Sequence, residues 1–154
     1  MPSRILVVHG PNLNLLGERQ PEIYGRLTLR AVNGMIRRHA AIHGASIRVF
    51  QSNHEGALVD FIHTNRRWAD AIVINPGALT HYSYTLRDAI AAVGIPTVEV
   101  HLSDVNHRES FRQRSVIRPV CVDRISGLGA QSYIRAIDVL IDILHRPPPT
   151  RSGM

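Results

Sequence analysis

Lysine is absent: all 18 cationic side chains of the chain are arginine. This excludes reactions that run through a lysine imine and phosphate loops that depend on a lysine. Cysteine occurs once, at Cys121, so no disulfide can form within the chain. The apolar run Pro119-Val120-Cys121-Val122 predicts a buried strand thiol rather than a nucleophile. Aromatic residues make up only 5% of the chain. A formal net charge of +6 invites a nucleic-acid partner. However, the arginines are scattered from Arg4 to Arg151, and no basic run is interleaved with aromatics, so no stacking platform is expected. Apolar runs are too short to span a bilayer. The opening MPSRILVVHG lacks the apolar stretch of a signal peptide, and the expected compartment is cytoplasmic.

What is present is the pattern of one globular domain, with 44% hydrophobic residues in 154. Residues 1–146 read as a single catalytic domain and 147–154 as a Pro-rich, disordered tail. Short apolar runs predict strands at 4–8, 46–50, 71–74, 97–100 and 120–125. Between them, apolar residues at helical spacing predict helices at 28–43, 55–67, 83–93 and 129–144. A helical turn is expected at 108–112. The strands are β-branched and unalternating, as in a parallel sheet covered on both faces. The expected architecture is therefore α/β: a three-layer α/β/α sandwich on a five-stranded parallel sheet.

Ligands of such sheets bind beyond the carboxyl ends of the strands. The segments after the strands hold the unusual polar residues. His9, Asn12, Asn14, Arg19 and Tyr24 follow the first, and Ser52, Asn53, His54 and Glu55 follow the second. Asn75 and His81 follow the third; Glu99 ends the fourth, before His101, Ser103, Asp104, Arg108 and Arg112. Gly127-Leu128-Gly129 approaches a nucleotide fingerprint, but it follows the last strand and lacks the third glycine. It reads as a tight strand-to-helix turn. A flavodoxin-like nucleotide- or flavin-binding module is the competing reading. No H-E-x-x-H and no cysteine cluster suggests a catalytic metal. His39, His43, His63 and His145 fall on predicted helices and read as solvated or structural.

The run Gly10-Pro11-Asn12-Leu13-Asn14-Leu15-Leu16-Gly17, with Arg19, Pro21 and Tyr24-Gly25, resembles the opening motif of the type II 3-dehydroquinate dehydratases. Four further blocks agree in order. They are Gln51 to Gly56; Ile74 to Gly77 with Thr80-His81 and Leu86 to Ala89; Glu99 to Ser103 with Arg108-Glu109 and Phe111-Arg112; and Gly127 to Gln131. Leu79, Tyr82, Tyr84 and Asp104 depart from the commonest pattern. The resemblance implies a flavodoxin-like fold, assembly as a dodecamer of trimers, and dehydration of 3-dehydroquinate without metal, cofactor or imine.

It further implies Tyr24 as base, assisted by Arg19. A free phenol is ionised about once in 10³ molecules at pH 7, so a neighbouring cation is needed. His101 would be the acid, held by Glu99, which shares its strand face. Asn12 would serve the enolate oxygen. Asn75, His81, Leu102, Ser103 and Arg112 would bind hydroxyls and carboxylate, with the planar fork of Arg112 on the carboxylate. Asp88 would reach a neighbouring subunit's site. The loop carrying Arg19 and Tyr24 is expected to act as a lid.

Overall fold

The computed structural model describes residues 2–24, 26–104 and 108–147. Gly25 and the tail beyond Pro147, which carried expectations above, lie outside the described residues. Five strands form one sheet: β1 (Arg4–His9), β2 (Ser46–Gln51), β3 (Ala71–Asn75), β4 (Thr97–His101) and β5 (Asp123–Ser126). Their order is β2-β1-β3-β4-β5, and every pairing is parallel. This is the flavodoxin-like arrangement.

The unalternating character of β1 has a simple cause. Successive side chains point to opposite faces, and both faces are covered. Ile5 and Val7 join one core, with Val32, Ile36, Tyr133 and Ile137. Leu6 and Val8 join the other, with Leu58, Ile62, Leu86 and Ile90. The first core lies beneath α2 (Leu29–Ile42) and α6 (Gln131–His145), the second beneath α3 (Glu55–Thr64) and α4 (Tyr84–Val93). Two short helical turns, α1 (Pro21–Tyr24) and α5 (Ser110–Gln113), belong to the loops beyond the sheet. Among the described residues, no helix is long and apolar enough to cross a membrane.

Helix starts follow capping chemistry. The Thr28 hydroxyl accepts from the Ala31 amide at 3.1 Å, and the Ser83 hydroxyl accepts from that of Leu86 at 3.0 Å. Gly94 closes α4 in the left-handed conformation at φ 64°.

The largest departures from the expected boundaries have local causes. The third helix stops at Thr64 rather than residue 67, where the Asn65 side chain folds back to the Phe61 carbonyl at 2.8 Å. The last helix starts at Gln131, not 129. The fifth strand starts at Asp123 rather than 120, because Arg118–Val120 form a 3-10 turn around Pro119. Proline has no N–H for the ladder, and pairing with β4 begins only at Val98 opposite Asp123. Cys121 is therefore a loop residue packed partly against the second core, not a strand thiol. Burial still pushes its thiol up to about 12, which keeps it unreactive.

Candidate active site

Strand order reverses between β1 and β3, and a cleft opens there beyond the carboxyl ends. The strands run one residue further than the sequence pattern suggests. His9 pairs opposite Asn75, and His101 opposite Ser126. Side chains that face the cleft are thus the last rungs of the ladder. A cavity of about 190 Å³ lies above them. It gathers Asn12, Arg19, Tyr24, Asn75, His81, His101, Leu102, Ser103 and Arg112, nine residues singled out from sequence. Arg108 lines it as well. A wider, more apolar cavity of about 390 Å³ lies beside Tyr24, between Leu16, Ile23, Leu27 and Ala130. The smaller one holds the histidines, the asparagines and three arginines, so the chemistry belongs there.

Two expected residues are not in the cavity wall. Glu99 is wholly buried behind His101, and its Oε2 takes a very short hydrogen bond with His101 Nε2. The Thr80 hydroxyl donates to the same Oε2 at 2.6 Å, and Ser115 donates to Oε1 at 2.7 Å. Burial alone would raise the Glu99 pKa. The bond and charge of His101, with the two hydroxyls, outweigh burial and hold the carboxyl below its ordinary value. A carboxylate fixed in this way sets the orientation of the imidazole. Asp88 sits exposed on α4, outside the cavity.

His81 ends a 3-10 turn, and its Nδ1 donates to the Arg114 carbonyl at 2.7 Å. Burial lowers its pKa; the Arg114 carbonyl opposes this, while the charges of His101 and Arg112 lower it further. The ring is therefore neutral near pH 7, and its Nε2 is left as an acceptor. Arg112 bonds Glu109 at 3.2 Å on an exposed turn, with its guanidinium 4.8 Å from the Phe111 ring centre.

On the opposite side, the Arg19 guanidinium carbon lies 4.8 Å from the centre of the Tyr24 ring. The phenol oxygen itself accepts from Arg108 Nη1 at 3.1 Å. The same Arg108 nitrogen lies 3.4 Å from the Ser103 hydroxyl. Sequence reasoning gave the cation role to Arg19 alone. Arg108 belonged to a matched block but carried no role, because nothing in the linear order joins it to a tyrosine 84 positions away.

Sequence reasoning also missed a buried support under Asn75. The Asn75 amide donates to the Tyr133 hydroxyl at 3.1 Å, while its Oδ1 accepts from the Gly77 amide at 3.1 Å. The Tyr133 oxygen lies 2.9 Å from His9 Nδ1, and His9 Nε2 lies 2.8 Å from Asn33 Oδ1. Burial lowers His9 to about 4, against the opposing Asn33 bond, so the ring is neutral. One proton placement then satisfies every member: Tyr133 donates to His9 Nδ1, and His9 Nε2–H donates to Asn33. Asn75 is left with one amide hydrogen for the cavity. His9 was noted among the rim residues, and its aromatic neighbours offered no cue in sequence.

The loop after β1 is tied down by close backbone approach. A Cβ on Gly10 would lie 2.5 Å from the Pro76 carbonyl oxygen, so only glycine fits. Asn12, at φ 70°, gives its amide to Asn53 at 2.9 Å, which joins the loops after β1 and β2. Gln20, between Arg19 and the α1 turn, is also in the left-handed region at φ 37°.

Comparison with known proteins places this geometry. The Dehydroquinase class II family matches residues 3–141. The 3-dehydroquinate dehydratase of Halothermothrix orenii is 50% identical over 144 residues, covering 94% of this chain and 97% of that protein. The crystal structure of the type II dehydroquinase from Butyrivibrio crossotus superposes with a TM-score of 0.89 at 48% identity, covering 91% of this chain and 98% of that one. That of the Propionibacterium acnes type II dehydroquinase gives 0.88 at 34% identity, covering 92% and 98%.

Proposed function

The chain belongs to the class II dehydroquinase family, and on that premise we propose that it dehydrates 3-dehydroquinate to 3-dehydroshikimate by anti elimination through an enolate. The supporting observation is the pair of groups that flank the cavity. Tyr24 stands on one side with a guanidinium on its oxygen, and His101 stands on the other with a buried carboxylate behind it.

Tyr24 as phenolate removes the proton on the carbon beside the ketone. The C–H electron pair becomes the enolate double bond, and the ketone oxygen takes the charge. Arg108 and Arg19 set two positive charges beside the phenol, and a charge-assisted bond to an oxyanion is about twice as strong as a neutral one. Asn12 serves the enolate oxygen directly or through water. The carbonyl then reforms as the hydroxyl on the neighbouring carbon departs. His101 gives that hydroxyl its proton, and water leaves. His101 Nε2 faces Glu99, so Nδ1 is the nitrogen for the leaving group. Asn75, His81, Leu102, Ser103 and Arg112 hold the remaining hydroxyls and the carboxylate. No step calls on a metal, cofactor or imine.

Residues 1–146 act as one catalytic domain in the cytosol, within the shikimate pathway or quinate breakdown. Exposed Asp88 completes a neighbouring subunit's site in a dodecamer of trimers, and a persistent monomer on gel filtration would remove that role. The enzyme is tested by the ultraviolet absorbance of the conjugated enone that forms from dehydroquinate. No absorbance change with purified protein would reject the reading. Arg112→Ala should raise KM about tenfold or more with kcat little changed, the loss of one charge-assisted contact. An unchanged KM would reject the carboxylate assignment.

A further inference from the structure

His39 and His43 are four residues apart at the end of α2, on one face of the helix. Asp138 meets them from α6, 95 positions on from His43 in the chain. Its Oδ1 lies 2.6 Å from His39 Nε2 and 3.9 Å from His43 Nε2. The two imidazoles stand edge to face, with ring centres 4.7 Å apart at 61°. One donor atom from each of the three residues falls within 4.8 Å of the others. All three side chains are partly open to solvent: 22% for His39, 41% for His43 and 52% for Asp138.

We infer that this cluster is a divalent transition-metal site that clasps α2 to α6. The site is separate from the catalytic cavity, whose lining contains none of these residues. The donor set selects the class of ion. Two imidazole nitrogens and one carboxylate suit Zn²⁺, Ni²⁺ or Cu²⁺, whereas Mg²⁺ and Ca²⁺ take oxygen ligands. The spacing also fits. Two ligands on a tetrahedral zinc, each about 2.0–2.1 Å from the ion, lie about 3.3 Å apart. An ion would part His39 and Asp138 by roughly 0.7 Å, draw His43 toward the carboxylate by roughly 0.6 Å, and bring the two imidazole nitrogens together by up to about 1.5 Å. Three protein ligands leave the fourth position for water.

The helix-pair contact supplies the rigidity that a surface cluster usually lacks. Val32 and Ile36 of α2 share one core with Ala136, Ile137 and Leu140 of α6, so the donors are held on packed elements. The His39–Asp138 bond already spans the two helices. The ion would add His43 to that bridge.

Equilibrium dialysis of the full chain against zinc chloride in a non-chelating buffer should give one ion per chain, and saturating zinc should raise the melting temperature by several degrees. His43→Ala should weaken binding at least tenfold and cancel the rise while turnover of dehydroquinate is unchanged. Asp138→Asn should weaken binding as well, and serves as a second variant if His43→Ala does not fold. Undiminished binding in both variants would place the ion elsewhere, for example on His81 and His101, and overturn the inference. Saturable binding with no rise in melting temperature would overturn the clasp.

Discussion

The two walls of the cavity are built by different means. His101 and Asn75 are the last paired residues of their strands, each backed by buried partners. Glu99 and Thr80 stand behind one, with Ser115 beside them, and Tyr133 and His9 stand behind the other. Tyr24 and Arg19 sit on a half-buried loop, and Arg108 reaches them from a separate one. The His101 wall is thus pre-oriented by the sheet. The Tyr24 wall is assembled from two loops, the first anchored through buried Leu13 and Leu16 in the first core. In the proposed mechanism the loop wall carries the base and the sheet wall the acid, the division expected if the loop acts as a lid.

Removing the base should give the largest effect. Tyr24→Phe is expected to lower kcat by about 10³-fold or more, within the range of general acid–base catalysis, while substrate still binds. The enone assay beside a binding titration measures both, and unchanged turnover would take Tyr24 out of the reaction. Next comes the loop-borne cation. Arg108→Ala should cost about tenfold to a hundredfold in kcat, the equivalent of one hydrogen bond to a charged group. If Arg19→Ala alone is impaired and Arg108→Ala is normal, the bond to the phenol oxygen has no catalytic part.

The buried supports should reveal themselves in stability. His9 is held neutral to about 4, below its ordinary 6.5, so the unfolded chain binds more protons between those values. Stability therefore rises with pH across that window, and acidification from 6.5 to 4 should remove about 3 kcal/mol through this group. Urea midpoints measured across the window check this, and a flat profile would contradict it. Glu99 adds to the same acid limb lower down. Its depressed pKa contributes stability that is present above the ordinary carboxylate value and lost as pH falls through the folded one. The smallest effect should come from Tyr133→Phe, which leaves His9 and Asn75 each short of a partner. About 1–3 kcal/mol of stability should go, with KM raised more than kcat is lowered. A loss of stability with unaltered KM would mean that the hydroxyl supports the core and not Asn75.

Much of the fold was legible because burial writes itself into composition. The runs Ile5–Val8 and Ala71–Ile74 are apolar at every position, which only a sheet covered on both faces requires. Helical spacing placed two helix starts at Thr28 and Ser83, each of which the structure shows to be the capping residue one position before the helix. The start of β5 was misread at Val120-Cys121, since apolar residues near a proline look like a strand until a ladder partner is or is not there. In the site, Glu99 and His101 were legible because alternation on one strand places them on one face. Arg108 on Tyr24 was not, nor was Tyr133 under Asn75.

By itself, the sequence determined the features set by near neighbours along the chain: parallel-sheet layering, helix caps, the Glu99–His101 pair, and the exclusion of imine chemistry by the missing lysine. Tertiary structure alone decided which distant groups share one hydrogen bond or one carboxylate. Arg108 meets Tyr24 and Asp138 meets His39 across 84 and 99 positions. The physical reason is range. Periodicity and capping act over a few residues, whereas a guanidinium finds a phenol, or an imidazole a carboxylate, only after sheet and helices have packed.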